Sequence, residues 1–254
     1  MAELYLLLRH NAPRMPWWDS WFGEEYLDLY PHRDVGAARR EVAFALERLP
    51  PEPTPMLDLC CGAGRHFPFF LELGIDPVGL DYSALLLEVA RTRLGKRNLV
   101  RGDMRSLPFS GGVFLSVVNF FTSFGYFAAE PDNAAVVSEI WRVLARGGRV
   151  LCDTFGLDHT LARLVPEERL SSSGREYRIR RWWNAPSRRV EKEIEVRRGD
   201  STEIFRESVR AYTAPELTRL FEEAGLHVEG TWGDFDGSPV CPESPRLILV
   251  ASKP

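Results

Sequence analysis

Short apolar runs alternate with longer stretches of helical spacing through the middle of the chain. Residues 56–60 (Met-Leu-Asp-Leu-Cys) are short and apolar enough for a buried strand. The run breaks at Gly62 and Gly64, and a helical pattern then covers 65–73, closed by Gly74. The alternation continues with strands at 77–80, 99–101, 113–120 and 149–155, and helices at 83–94 and 132–144. Strands separated by helices predict a parallel sheet with right-handed crossovers. After 155 the period changes. A short helix at 158–164 precedes three polar–apolar alternating runs, at 176–183, 189–197 and 203–212, the last two joined by Gly199-Asp200. These predict antiparallel strands with one wet face, carried as an insertion on one edge of the sheet. A helix at 215–224 and strands at 226–232 and 246–252 resume the first pattern.

Ahead of residue 56 the pattern is different again. Residues 16–22 hold Trp17, Trp18, Trp21 and Phe22, and Tyr26 and Tyr30 follow. Residues 31–34 read as a turn, and 35–49 keep helical spacing. The proline-rich stretch 50–55 cannot be helical and reads as a stiff linker. The aromatic payload has two readings at this point. Either it glues a cap onto the core, or some of its rings line a pocket.

Bulk properties narrow the function classes. A chain of 254 residues, 44% hydrophobic, is long enough for one large domain with an insertion. Net charge is −4 and the isoelectric point about 5.8, so neither nucleic acid nor an anionic membrane is an expected partner. Cys60, Cys61, Cys152 and Cys241 show no Cys-x-x-Cys or Cys/His cluster, so no metal site is expected. No apolar run reaches 18 residues, and the acidic Glu3 ahead of the short run 4–8 is unlike a signal peptide. These point to a cytoplasmic location with reduced thiols.

The candidate chemistry sits at the ends of the first three strands. Asp58, Gly62 and Gly64 belong to the first strand and its turn, Asp81 ends the second, and Asp103 follows the third. In open α/β sheets ligands bind outside the carboxyl ends of the strands. Glycines let the backbone approach a ligand, and a carboxylate after strand two suits the hydroxyls of a ribose. A carboxylate after strand three suits an exocyclic amine such as that of adenine. The third glycine of Gly-x-Gly-x-x-Gly is Phe67 here, which argues against a nicotinamide dinucleotide.

With these residues in place the chain resembles the class I S-adenosylmethionine-dependent methyltransferases. Residues 57–64 (Leu-Asp-Leu-Cys-Cys-Gly-Ala-Gly) resemble the cofactor loop, 78–83 the ribose motif, 102–104 the adenine motif and 144–149 the turn before strand five. Cys60 stands where that family most often has glycine. The resemblance covers about 56–155 and returns at 214–253. It implies an α/β fold: a Rossmann-like, seven-stranded, mostly parallel sheet with an antiparallel C-terminal hairpin. An N-terminal helical cap (1–55) and an antiparallel β insertion (156–213, a substrate lid or dimer contact) would flank the core at 56–155 and 214–254.

The resemblance also implies roles. S-adenosyl-L-methionine would be the cofactor, held by Asp58, Cys60, Gly62, Gly64, Asp81, Tyr82, Asp103, Met104 and the backbone carbonyl of Asn119. The acceptor would lie over residues 119–127, which lack an Asn/Asp-Pro-Pro-Tyr/Phe signature and are aromatic, resembling the small-molecule branch of the family. A small-molecule nitrogen or oxygen acceptor is expected, with methylation of RNA or protein and a non-catalytic binding module as alternatives. Tyr30, His32, Tyr126, Asp153 and His159 are candidate bases, while His66 is expected to brace the cofactor loop. The arginine-rich strand run interleaves Glu176, Glu191, Glu193 and Glu195, as a solvated face does, and Trp182 and Trp183 are candidates for a pocket wall or a dimer contact. The protein is expected to be a monomer or homodimer.

Overall fold

The computed structural model describes residues 16–30, 35–95 and 97–254. The apolar run at the centre forms β1 (Met56–Leu59), buried at every position because both faces of its sheet are covered by helices. Around it run β2 (Val78–Asp81), β3 (Leu99–Arg101), β4 (Phe114–Asn119), β5 (Leu144–Phe155), β10 (His227–Trp232) and β11 (Arg246–Ser252). The sheet order is β10-β11-β5-β4-β1-β2-β3. Strands β1 to β5 pair in parallel, and β11 lies antiparallel to β5 from Arg246↔Phe155 to Ser252↔Arg149, with β10 antiparallel outside it. This is the mostly parallel seven-stranded sheet with an antiparallel C-terminal pair expected from the sequence.

Local chemistry sets the helix ends. Helix α5 (Ala84–Leu94) starts where Ser83 Oγ accepts from Leu86 N–H, and it stops at Gly95 in a left-handed conformation. Helix α8 (Ala214–Glu223) opens with a reciprocal Thr213–Glu216 capping box. Helices α3 (Val35–Arg48), α4 (Phe67–Glu72) and α6 (Glu130–Val143) complete the layers on the sheet. One apolar cluster contains Val137, Ile140 and Phe221 on one face, and another contains Phe44, Phe70 and Ile248 on the other.

A second sheet stands apart, in the order β6 (Glu167–Ser172), β7 (Arg175–Asn184), β8 (Arg189–Arg198) and β9 (Ser201–Arg210), all antiparallel. The short helix α7 (Leu157–Ala162) leads into it. Four strands replace the three expected. β6 reads Glu-Glu-Arg-Leu-Ser-Ser, with no apolar alternation, and only its pairing to β7 makes it a strand. The sheet also forms its own layer instead of extending the edge of the first. Its inner face packs on the aromatic N-terminal segment, which folds as α1 (Trp17–Trp21) and α2 (Glu24–Leu29). Trp21, fully buried, lies among Ile179, Ile194 and Phe205. The outer face carries cross-strand charge pairs such as Arg180–Glu193 and Arg206–Glu193.

Arg189 of β8 ties this sheet to the central one. Its guanidinium donates to the carbonyls of Gly125 (3.0 Å), Tyr126 (2.9 Å) and Phe127 (2.9 Å) in the loop after β4. Beside it Arg210 N–H donates to Gly125 O at 2.8 Å. Gly125 has φ +94°, and a Cβ there would lie 2.8 Å from Arg210 O, so only glycine permits the approach.

Candidate active site

A cavity of about 910 Å³ opens between the carboxyl ends of the central strands and the second sheet. That is near the upper end of the range for pockets that hold one drug-sized ligand. Its floor comes from the turns after β1, β2 and β3. Its roof comes from α1, α2 and strands β7 to β9, and the loop after β4 forms the wall between them.

In the floor, Asp81 is buried and accepts from Gly62 N–H and Ser83 N–H, both at 2.8 Å. Burial pushes its carboxyl upward, and those backbone donors pull the other way. Asp58, 1% exposed, also lines the cavity. Neither of its carboxylate oxygens has a hydrogen-bond partner among the described residues. Burial first, and the charge of Asp81 second, push it up to about 7. An unpartnered buried carboxylate on a cavity wall is costly and is the mark of a group waiting for a ligand donor. Asp103 also lines the cavity, but its oxygens are engaged by Arg105 Nε, the terminal Arg105 nitrogen and Arg105 N–H, with the closest contact at 2.6 Å. The Arg105 guanidinium holds its carboxyl below the usual range against the opposing effect of burial.

Cys60, Gly62, Tyr82 and Met104 line the floor as well. Cys60 sits at φ +63°, a left-handed conformation that costs a side chain roughly 1–2 kcal/mol. That strain is the physical reason a glycine suits this turn. Its Sγ lies 3.6 Å from Met104 Sδ. Gly64 and Asn119 are not on the cavity surface. A Cβ on Gly64 would stand 2.5 Å from Leu94 Cδ1, so this glycine serves the packing of the turn on α5. Asn119, 1% exposed, donates through Nδ2 to Leu59 O at 2.8 Å and ties β4 to β1.

The wall is strained and braced from behind. Phe121 and Thr122 both have φ near +60°. Asp153 accepts from Phe121 N–H through Oδ2 (2.7 Å) and is bonded to Arg246 through Oδ1 (2.6 Å). Arg246 also donates to Thr122 Oγ1 at 3.2 Å. Asp153 therefore holds the loop from behind and does not line the cavity. His66 and Arg65 do line it, and both bond the same Glu41 oxygen at 2.6 Å, while the His66 ring stacks on Phe120 at 4.2 Å. His66 thus braces the turn after β1 from α3, as the sequence suggested. Of the candidate bases, Tyr30 and Tyr126 line the cavity, and His159 lies outside it, bonded to Glu243 O at 2.7 Å. His32 and the turn at 31–34 lie outside the described residues.

The roof combines rings and charge. Trp17 packs on Tyr126 (4.8 Å), Phe22 stacks parallel to Tyr126 (5.8 Å), and Trp18 meets Phe127 edge-on (5.1 Å). Ser83 Oγ donates to Phe22 O at 2.8 Å, which fastens the aromatic segment to the floor. The segment thus both glues and lines. Trp182 and Trp183 do not reach the cavity; Trp182 is exposed on the outer face. Three roof residues escaped the sequence reading: Arg181, Lys192 and Glu207. Lys192, 8% exposed, contacts Tyr30 Oη and lies 3.3 Å from both oxygens of Glu207, whose Oε1 also accepts from Trp21 Nε1 at 2.5 Å. The signal was present. Each of the three interrupts an apolar alternation, as Lys192 does between Val190 and Ile194.

With this geometry in hand, comparison with known proteins bears on the floor. Residues 56–148 match the family model of the methyltransferase domain. This stretch of the chain is similar to a methyltransferase domain. A sugar N,N-dimethyltransferase of Streptomyces venezuelae, named for dTDP-3-amino-3,4,6-trideoxy-alpha-D-glucopyranose, is 32% identical over 130 residues, 51% of this chain and 54% of that protein. The demethylmenaquinone methyltransferase of Lactococcus lactis is 39% identical over 107 residues, 38% of this chain and 40% of that protein. The chain thus spans about half the length of these curated relatives. The fold extends further. The CcbJ methyltransferase of Streptomyces caelestis superposes with a TM-score of 0.77 over 92% of this chain and 98% of that one, at 16% identity. The methyltransferase-domain match stops at 148, so the second sheet lies beyond it.

Proposed function

We propose that the protein transfers the methyl group of S-adenosyl-L-methionine to a nitrogen or oxygen of a small-molecule acceptor. The observation that carries this reading is Asp58, whose two buried, unpartnered oxygens face the cavity beside the Gly62 turn. Such a carboxylate fits the ammonium end of that cofactor, and Asp81, which lines the same cavity, fits the ribose. Asp103 and Met104 would frame the adenine, with Cys60 and Tyr82 completing the pocket. The bound cofactor would supply a methyl group already activated on sulfur. The chain's own task is to orient the acceptor and exclude water. The cap and the insertion do this as a roof, and their rings suit an apolar body or an amine cation. Of the candidate bases, Tyr30 and Tyr126 line the cavity and are placed to take an acceptor proton. The name of the Streptomyces venezuelae relative, and that of a second sugar N,N-dimethyltransferase from Streptomyces fradiae, support methylation of an amine.

The test has two arms. Calorimetry should detect binding of S-adenosylhomocysteine. Incubation with methyl-labelled cofactor and a metabolite extract should move label into the small-molecule fraction. Label found in RNA or protein alone would overturn the small-molecule reading, and binding without any transfer would leave a non-catalytic module.

A further inference from the structure

Two tryptophans of the roof stand one turn apart on α1, and their indole N–H groups fare differently. Trp17 and Trp21 are both packed among other rings. Trp21 Nε1 donates to Glu207 Oε1 at 2.5 Å. Trp17 Nε1 is equally hidden from solvent and has no hydrogen-bond partner. Resting on the methyltransferase reading, we infer that Trp17 reads the methyl acceptor: its indole N–H donates to an uncharged oxygen, of a hydroxyl, ether or carbonyl, that the acceptor carries apart from the atom to be methylated.

Three observations carry the inference. First, the unmet groups on the cavity are few and complementary. Among the described residues that line it, Asp58 and Trp17 alone have buried side-chain oxygen or nitrogen atoms without a partner. Asp58 lacks donors and belongs to the floor, where the proposed cofactor would answer it. Trp17 lacks an acceptor and belongs to the roof, where that cofactor leaves it over. A buried N–H without a partner costs free energy until a ligand answers it.

Second, the surroundings of the indole are rings. Its neighbours are Tyr126 (4.8 Å between ring centres), Trp18 (5.7 Å) and Phe22 (5.8 Å). A ring face returns only part of a hydrogen bond to an N–H. A phenylalanine would fill the same apolar niche and leave no donor stranded, so packing alone does not account for an indole at this position.

Third, the chemistry of the partner is constrained. An indole N–H only donates, so the ligand atom must offer a lone pair. An aliphatic amine, protonated at neutral pH, offers none. The roof's cations are already answered, Lys192 by Tyr30 and both oxygens of Glu207, and Arg181 by Glu168 at 2.9 Å, so the described roof makes no call for an anion. An uncharged oxygen satisfies all three conditions. The indole packs on Tyr126, a candidate base of the wall, so an oxygen bound to it lies in the acceptor half of the cavity.

The test uses S-adenosylhomocysteine-saturated protein and three ring amines: cyclohexylamine, trans-4-aminocyclohexanol and 4-aminotetrahydropyran. The shared ammonium suits the rings of the cavity, and the last two probes add one uncharged oxygen. Calorimetry should find at least one oxygenated amine bound about fivefold or more tighter than cyclohexylamine. Trp17→Phe keeps a ring and deletes the N–H, and should shrink that gap to about twofold or less. In protein carrying isotope-labelled tryptophan, the indole N–H resonance that Trp17→Phe removes should move downfield with the oxygenated amine and hold still with cyclohexylamine, a response that a purely packing role would not give. Affinity of Trp17→Phe for S-adenosylhomocysteine and for cyclohexylamine should stay within about twofold of the parent. No binding of either oxygenated amine, no gap in the parent, a gap that survives Trp17→Phe, or an indole resonance indifferent to the oxygen would overturn the assignment. A parent protein that fails to bind S-adenosylhomocysteine would instead strike the methyltransferase reading, and the amine measurements on unliganded protein would then decide the role of Trp17 separately.

Discussion

The floor and the roof of the cavity hold their polar groups by different means. In the floor, Asp81 is gripped by the backbone amides of Gly62 and Ser83. In the roof, side chains grip one another: Trp21 holds Glu207, Glu207 and Tyr30 hold Lys192, and Arg189 holds the wall. Backbone donors survive most substitutions nearby, whereas a side-chain network changes with each of its members. A floor of that kind suits a ligand that stays the same among relatives, and a roof of this kind can be re-tuned. The family match has the same boundary, since it covers the floor and ends before the second sheet.

The contrast can be broken at several points. Trp21→Ala should have the largest effect, because it empties a fully buried site and removes the anchor of Glu207. A loss of about 3–5 kcal/mol is expected, seen in thermal unfolding, with faster amide exchange in β7 to β9 and a retained central sheet. Equal loss of protection in both sheets would show that floor and roof are one cooperative unit.

Asp81→Ala should come next. Affinity for S-adenosylhomocysteine is expected to fall about a hundredfold, since the change removes the proposed ribose contact and leaves two buried N–H donors unpaired. Unchanged affinity in calorimetry would refute the ribose assignment.

Asp58 makes the floor pH-dependent. Its folded-state value is raised to about 7 from 3.8, so stability of the ligand-free protein is full below the ordinary value and is lost as pH rises through 7. Cofactor binding should run the opposite way, tightening by up to about tenfold between pH 6 and 8 as the carboxylate ionises to meet a cation. Asp58→Asn should flatten both profiles. A melting temperature that climbs across this window in the parent would contradict the raised value.

The smallest effect is a gain. Cys60→Gly relieves a left-handed side chain and should stabilise the protein by about 1 kcal/mol, a rise of a few degrees in Tm, offset in part by the lost contact with Met104. A fall in Tm would mean that the sulfur contact outweighs the strain.

The floor was legible because its constraints are local. A glycine turn and acids at strand ends are set by residues close in sequence, and they led to Asp58, Gly62, Asp81 and Asp103. Gly64 and Asn119 were named beside them, but they pack against α5 and β1 instead of lining the cavity. That choice depends on partners such as Leu94 and Leu59, whose contacts spacing alone does not report. Asp153 looked free at a strand end because its partner, Arg246, comes 93 residues later. β6 was missed because pairing, not pattern, makes it a strand. Lys192 and Glu207 left a visible trace as breaks in an apolar face, yet which cavity that face covers follows only from the way the sheet folds back.

The bond between Trp21 and Glu207 spans 186 positions of the chain. A ribosome adding about 5–20 residues per second needs roughly 10–40 s to cover that distance. Throughout that interval the tryptophan-rich start of the protein has been made and its partner strand has not. The central strands from β1 to β5 can pair meanwhile, since every strand they need emerges earlier. Closure of the roof thus waits until β9 is made, with only α8, β10 and β11 still to come, and until then the aromatic segment stands uncovered and in need of a chaperone's shelter.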